Sequence, residues 1–439
     1  VTTKHSKPEN MYRSGERTTA FRALAPLAHE TAQGLLRRLV GREPPPLREG
    51  EPPSWDSLPS FGEATWSIGL EPGTLLDSRP MRLLGTRGRL NPATAYRMDY
   101  VTTDSRGHTI TATGAYFHSH SPWRGGRRPV VAFAPSTQGV AVHCNPSYSC
   151  TVGFNVFTSP PYDIIAAYEL PMINMFLAAG CHIVLIDYPR DPDLGLQLYC
   201  DHISGAHALS DAVRAARQLG LKKHAPVGLW GFSQGAGTVG MALERPDYAT
   251  DVVAKAAVVG APPAQLDAVL RQVDGTLSTG VLAYAIAGLL VTSSEIRDEI
   301  LSVLTTEGLT CLIDNITTCA GGSAIASGWQ SSAEWTTSGM TLGALISDLP
   351  AVSAELDRRK LGQQTPQVPV LLWGSTNDDI VPFQSVQNLQ SAWKRGGGEI
   401  TWRRNWLPQV PGRTGFNHFG PYYKHMVGDA GWLLEQLRR

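Results

Sequence analysis

At 439 residues, the chain is too long for one small module and fits two domains or one large α/β domain with an insertion. Hydrophobic residues make up 42%, which excludes wholesale disorder. The 38 basic and 38 acidic side chains cancel, so no electrostatic case exists for nucleic acid or an anionic membrane as partner.

The chain opens on Val1 without a hydrophobic signal core, as a processed mature protein or a trimmed expression product would. Residues 1–60 read as an appendage. Thr18–Val40 can form an amphipathic helix with Leu24, Leu27, Leu35 and Leu36 on its apolar side. The following REPPPLREGEPPSWDSLPS is too proline-rich for a strand interior or a long helix and reads as a linker. Strand patterns begin with RLLGTR, AYRMDYVTTDS and HTITATGAYFHSH. RPVVAFAP (128–135) is a continuous apolar run, as in a strand buried on both faces. Asp163–Gly180 is a helix candidate, CHIVLIDYP (181–189) a buried strand, and His202–Leu219 a helix. PVGLWGFS (226–233) is a strand ending in a turn, QGAGTVGMAL a helix, and VAKAAVVGAPP (253–263) a strand. VPVLLWGSTNDD (368–379) and EITWRRNWLP (399–408) are late strands, and Lys424–Leu437 is a closing helix.

This alternation predicts an α/β fold: a mostly parallel sheet with helices on both faces. Residues 264–362 break the pattern, with helix and irregular chain but no strong strand, and read as a helical cap inserted into a core of 61–263 and 363–439. Within the insertion, Leu277–Val291 is uncharged and apolar but too short to span a bilayer.

Gly231-Phe232-Ser233-Gln234-Gly235 is a G-x-S-x-G sequence, placed between an apolar strand and a small-residue helix. A serine on so sharp a turn projects its Oγ above the sheet as a nucleophile; the bland reading is a glycine-rich turn with an idle serine. A serine nucleophile needs a base, and the base an orienting acid, in the chain order Ser, Asp/Glu, His. Asp378, at the end of VPVLLWG, is the candidate acid, with Asp379 as competitor. His418, in GFNHFGP, is the candidate base, with His425 as runner-up; His143 and His182 precede the serine and fit the order badly. The oxyanion donors would be the N–H of Gln234 and that of Ser136 or Thr137, since Pro135 has none. Asp187 also precedes the serine and reads as a structural strand-end acid.

No GxxxxGK[ST] loop, HExxH motif or CxxC pair occurs, so neither a metal nor a cofactor is called for. The six cysteines hint at an oxidising compartment, and Cys144/Cys150 and Cys311/Cys319 are close enough to close small loops. The alternative is buried free thiols. Asn315-Ile316-Thr317 is a glycosylation sequon.

GFSQG, NDDIVP and NHFG fit α/β-hydrolases generally. PGTLLDSRP (72–80), YRMDYVTTDSRG (96–107) and APSTQGVAVHCNPSY (134–148) are more specific, and over residues 60–439 the chain resembles the secretory lipase family of yeast lipase A-like and actinobacterial members. It departs from that pattern in reading CNPS for CAPS and in lacking a glycine in the Pro135-Ser136-Thr137 stretch. The resemblance implies an α/β-hydrolase core, a cap forming an acyl tunnel, a secreted or cell-envelope location, and hydrolysis of carboxylic esters of small molecules or lipids by Ser233, Asp378 and His418. Contact with lipid through the cap would be transient, and no specific protein partner is indicated. Two other functions share these residues: acyl transfer to an alcohol, and non-catalytic binding on a hydrolase fold.

Overall fold

The computed structural model describes residues 14–41, 64–86 and 88–439. The proline-rich linker, residues 42–60, lies outside them. Helix α1 (Ser14–Leu39) is followed by β1 (Leu75–Met81), β2 (Ala93–Thr103), β3 (Thr109–Ser119) and β4 (Val130–Ala134). Next come α2 (Pro146–Val152), β5 (Phe154–Phe157), β6 (Asp163–Ala166), α3 (Leu170–Ala178) and β7 (His182–Ile186). The chain continues through α4 (His202–Gln218), β8 (Val227–Phe232), α5 (Gln234–Glu244) and β9 (Ala254–Gly260). Then follow α6 (Leu266–Val273), α7 (Val281–Leu290), α8 (Ser294–Val303), α9 (Thr306–Ile316), α10 (Ala320–Ser327), α11 (Leu342–Leu345) and α12 (Pro350–Arg358). The last elements are β10 (Val370–Ser375), α13 (Phe383–Arg395), β11 (Ile400–Asn405) and α14 (Phe416–Arg438).

Nine strands form one sheet in the order β1-β2-β3-β7-β4-β8-β9-β10-β11. The six from β7 to β11 run parallel, whereas β1, β2 and β3 join antiparallel at one edge. The fold is therefore α/β with a mostly parallel sheet. Alternate side chains of β4 feed two cores: Val130, Ala132 and Ala134 pack with α4, α5 and α13, and Val131 and Phe133 with α3 and α14. Burial on both faces explains why the central strands are continuous apolar runs. Helices α6 to α12 follow β9 in sequence, and all but α10 contribute to a third core around Leu282, Ile286 and Leu289.

Four local readings change. The described part of RLLGTR, residues 82–86, is a turn and not a strand, and the edge strand β1 lies just before it. Asp163–Gly180 is not one helix: its first four residues pair antiparallel with β5, and α3 starts only at Leu170. Helix α1 buries Ala23 and Leu27 against α3, while Leu35 and Leu36 are exposed. Helix α14 begins at Phe416, so His418 lies in its first turn rather than in a preceding loop. Pro421 stands inside this helix and is buried.

Local disulfide loops do not form. Cys144 pairs instead with Cys319, 175 residues away, and Cys150, Cys181, Cys200 and Cys311 are free. This bond ties the segment after β4 to the start of α10, whose N–H groups at Cys319 and Gly322 also donate to buried Asp163. A cross-link closing so long a loop removes much unfolded-chain entropy. A Cys144→Ser/Cys319→Ser variant is expected to lose up to about 5 kcal/mol of stability, measured by denaturant unfolding. Asn315 of the sequon is fully buried, with Nδ2 donating to Cys311 O and Ser327 Oγ, so the folded chain presents no acceptor amide there.

Candidate active site

Strand β8 delivers Ser233 to a turn that only small neighbours permit. Ser233 has φ of 54° and ψ of −122°, in the left-handed region that side chains avoid. A Cβ on Gly231 would overlap Gly235 O, and one on Gly235 would overlap Ala134 O. The two flanking glycines are thus required by backbone contact, and the Ser233 N–H is held by Gly260 O at 2.9 Å.

Asp378 and His418 come together from the ends of β10 and α14. His418 Nδ1 lies 2.8 Å from Asp378 Oδ2, and both side chains are buried. The other carboxylate oxygen accepts the N–H groups of Ile380 (2.9 Å) and Val381 (2.8 Å), so its orientation is fixed. The His418 ring stacks on Phe232 with centroids 4.7 Å apart, and Tyr422, one turn further along α14, stacks on the same ring at 4.3 Å. His418 Nε2 has no hydrogen bond among the described residues and lines the same cavity as Ser233.

The competing residues have other partners. Asp379 Oδ2 accepts from Gly415 N (3.0 Å) and Asn417 Nδ2 (3.2 Å), which braces the turn into α14. Burial and the neighbouring Arg403 and Lys424 push His425 down to about 4. His143 bonds Asp163, and Asp187 accepts from Ser147 and Thr113. Among the described residues, His143, Cys144, Asp163 and Cys319 are the cluster spaced to hold a metal ion, but the disulfide uses both sulfurs.

The loop after β4 places the expected donors in different settings. The Ser136 N–H donates to Glu169 Oε1 at 2.8 Å, as does its hydroxyl, so this N–H points away from any ester oxygen. Thr137 is left facing the cavity, its Oγ1 2.7 Å from Tyr199 OH and 3.1 Å from Gln234 Oε1. The N–H of Gln234 starts α5 and has no intrahelical acceptor. Glu169 is an acid that sequence reading missed. It also accepts from Tyr422 OH at 2.7 Å and so joins the loop after β4 to the helix carrying His418. Burial pushes its carboxyl up, against the hydrogen bonds from Ser136 and Tyr422. No motif marks it, because its partners, Ser136 and Tyr422, come from two segments distant in sequence.

The cavity beside Ser233 has a volume of about 450 Å³. Val269, Val281, Ala285 and Leu289 supply apolar walls, all from the helices between β9 and β10.

A mostly parallel sheet of this order, with a strained serine at the strand-to-helix turn and an Asp–His pair from the end of β10 and the start of α14, defines an α/β-hydrolase. The secretory lipase model matches residues 157–435, and the chain belongs to that family of carboxylic ester hydrolases. A secreted triacylglycerol lipase of Malassezia globosa is 27% identical over 348 residues, covering 75% of this chain and 69% of that protein. A probable inactive lipase of Mycobacterium tuberculosis is 25% identical over 345 residues, covering 76% and 73%. In fold, the chain is similar to Candida antarctica lipase A, with a TM-score of 0.67, 19% identity and coverage of 83% and 82%. It is also similar to the rice cell wall degrading esterase of Xanthomonas oryzae, with a TM-score of 0.66, 18% identity and coverage of 84% and 100%.

Proposed function

We propose that the protein hydrolyses carboxylic esters with an apolar acyl group, through an acyl-enzyme on Ser233. The observation that carries this reading is the buried His418–Asp378 pair, whose free Nε2 shares the Ser233 cavity. Nε2 takes the Ser233 proton as Oγ adds to the ester carbonyl carbon. The carbonyl oxygen becomes an oxyanion held by the N–H groups of Gln234 and Thr137. Collapse breaks the carbon–oxygen bond to the alcohol, which receives the proton from Nε2. A water then gives its proton to Nε2, adds to the acyl carbon and releases the acid, and Ser233 regains its proton.

Residues 264–362 serve in this reading as a cap over a core of 61–263 and 363–439, and lipid esters as substrates. Among the described residues no helix is long and apolar enough to cross a membrane. The buried disulfide and the secreted relative support export to an oxidising compartment. Glu169 holds the oxyanion loop, and glutamine there keeps one acceptor oxygen for Ser136 but replaces the oxygen that accepts from Tyr422 OH with an NH₂ donor. Glu169→Gln is expected to cost about 1–3 kcal/mol in stability and to lower kcat, read by unfolding and ester kinetics.

The test is hydrolysis of p-nitrophenyl esters from acetate to palmitate, together with fluorophosphonate labelling mapped by mass spectrometry. Turnover with label on Ser233 supports the reading. Absence of both overturns it in favour of a non-catalytic protein, and ester products formed only with added alcohol would assign acyl transfer.

A further inference from the structure

The cavity is not uniformly apolar: an arginine lies at one end. Val281, Ala285 and Leu289 are four residues apart on α7 and form one stripe along the cavity wall, spanning about 12 Å. The Val281 end of the stripe lies against the loop leading to His418. Leu277 N donates to Arg413 O at 3.0 Å, and Thr414 and His418 line the cavity there. At the Leu289 end stands Arg359, 1% exposed and lining the cavity beside Leu356 and Cys200. Its Nη2 donates to Thr292 Oγ1 at 2.9 Å, three residues beyond Leu289, and its Nε to Glu355 at 2.6 Å. Nη1 makes no hydrogen bond among the described residues, which leaves a buried cation with an unused donor at the end of a greasy slot.

The surroundings decide which ligand suits that donor. Arg358 shares Glu355 with Arg359. Asp201 is the second nearby acid. Burial pushes its carboxyl up, but Arg359 and hydrogen bonds from Ser105 and Ser204 outweigh this and hold it below the usual range. Arg358 and Arg359 thus face Glu355 and Asp201, while Asp104 near Arg358 is itself paired with Arg106, so this end of the cavity offers a donor without net positive charge. A plain methyl terminus would leave Nη1 unsatisfied, and a carboxylate would meet two acids already in place.

We infer that Arg359 selects acyl chains carrying a neutral oxygen acceptor, a hydroxyl or keto group, near their far end. This rests on the proposed ester hydrolysis and names its substrate class. The test compares p-nitrophenyl esters of straight-chain, ω-hydroxy and ω-carboxy acids over a ladder of chain lengths. At one length the ω-hydroxy ester is expected to exceed the plain ester in kcat/KM by about tenfold, the effect of one hydrogen bond to a charged donor. Arg359→Met should level the two and Arg359→Lys restore part of the difference. Calorimetry of the free ω-hydroxy acid against the plain acid, on unmodified protein, requires neither turnover nor a folded variant. Tighter binding of the ω-hydroxy acid without any hydrolysis would keep this inference and sink the hydrolase reading. Preference for the plain ester at every length, equal binding of the two free acids, preference for the ω-carboxy ester, or a ratio unmoved by Arg359→Met would overturn the inference while leaving ester hydrolysis intact.

Discussion

Replacing Ser233 by alanine is expected to lower kcat for p-nitrophenyl esters by roughly 10⁶-fold and to abolish fluorophosphonate labelling. The size of the effect follows from the site. Among the candidates only Ser233 combines a nucleophilic oxygen, a left-handed backbone that lifts it off the sheet, and a position in the cavity lined by His418. Alanine fits the same backbone no worse than serine, so the protein should unfold at an unchanged denaturant midpoint. Residual hydrolysis near the wild-type rate would show that another group attacks the ester.

Asp378→Asn is expected to cost about 10⁴-fold in kcat with little change in stability. In the proposed mechanism the carboxylate, 2.8 Å from His418 Nδ1, accepts the proton there and leaves Nε2 bare to act as a base. An asparagine amide held by the same Ile380 and Val381 N–H groups turns its NH₂ toward Nδ1. The proton then sits on Nε2, and the ring cannot accept from Ser233. Asp379→Asn keeps one acceptor oxygen for Gly415 and Asn417 and should cost no more than roughly tenfold. Measuring kcat for both variants decides between the adjacent acids: a larger loss at Asp379 would reverse the assignment.

Much of this site is legible in the sequence because its chemistry is local. The G-x-S-x-G spacing is a statement about backbone clearance, and the clashes a Cβ would make at Gly231 and Gly235 show why it recurs as a readable string. Apolar runs such as VVAFA and HIVLI announce burial on both faces. Short elements whose state depends on a pairing partner are not legible in this way. Asp163–Ala166 carries no period distinguishing strand from helix over four residues, and pairing with β5 decides it. Helix α14 starts at Phe416, ahead of the Lys424 start read from sequence, and carries the buried Pro421 inside it, a residue that disfavours helix interiors.

The order of serine, acid and histidine, the alternation of buried strands with helices, and the strand-free stretch before β10 follow from residue type and spacing alone. Tertiary structure decided which cysteines pair, that Ser136 turns its N–H to Glu169, and that Arg359 lines the cavity. Each of those joins residues 33 or more positions apart or belonging to different helices. Spacing along a chain records backbone geometry over a few turns. Which buried polar group meets which partner is set by packing, where an unmatched donor is costly and the match comes from wherever the fold brings an acceptor.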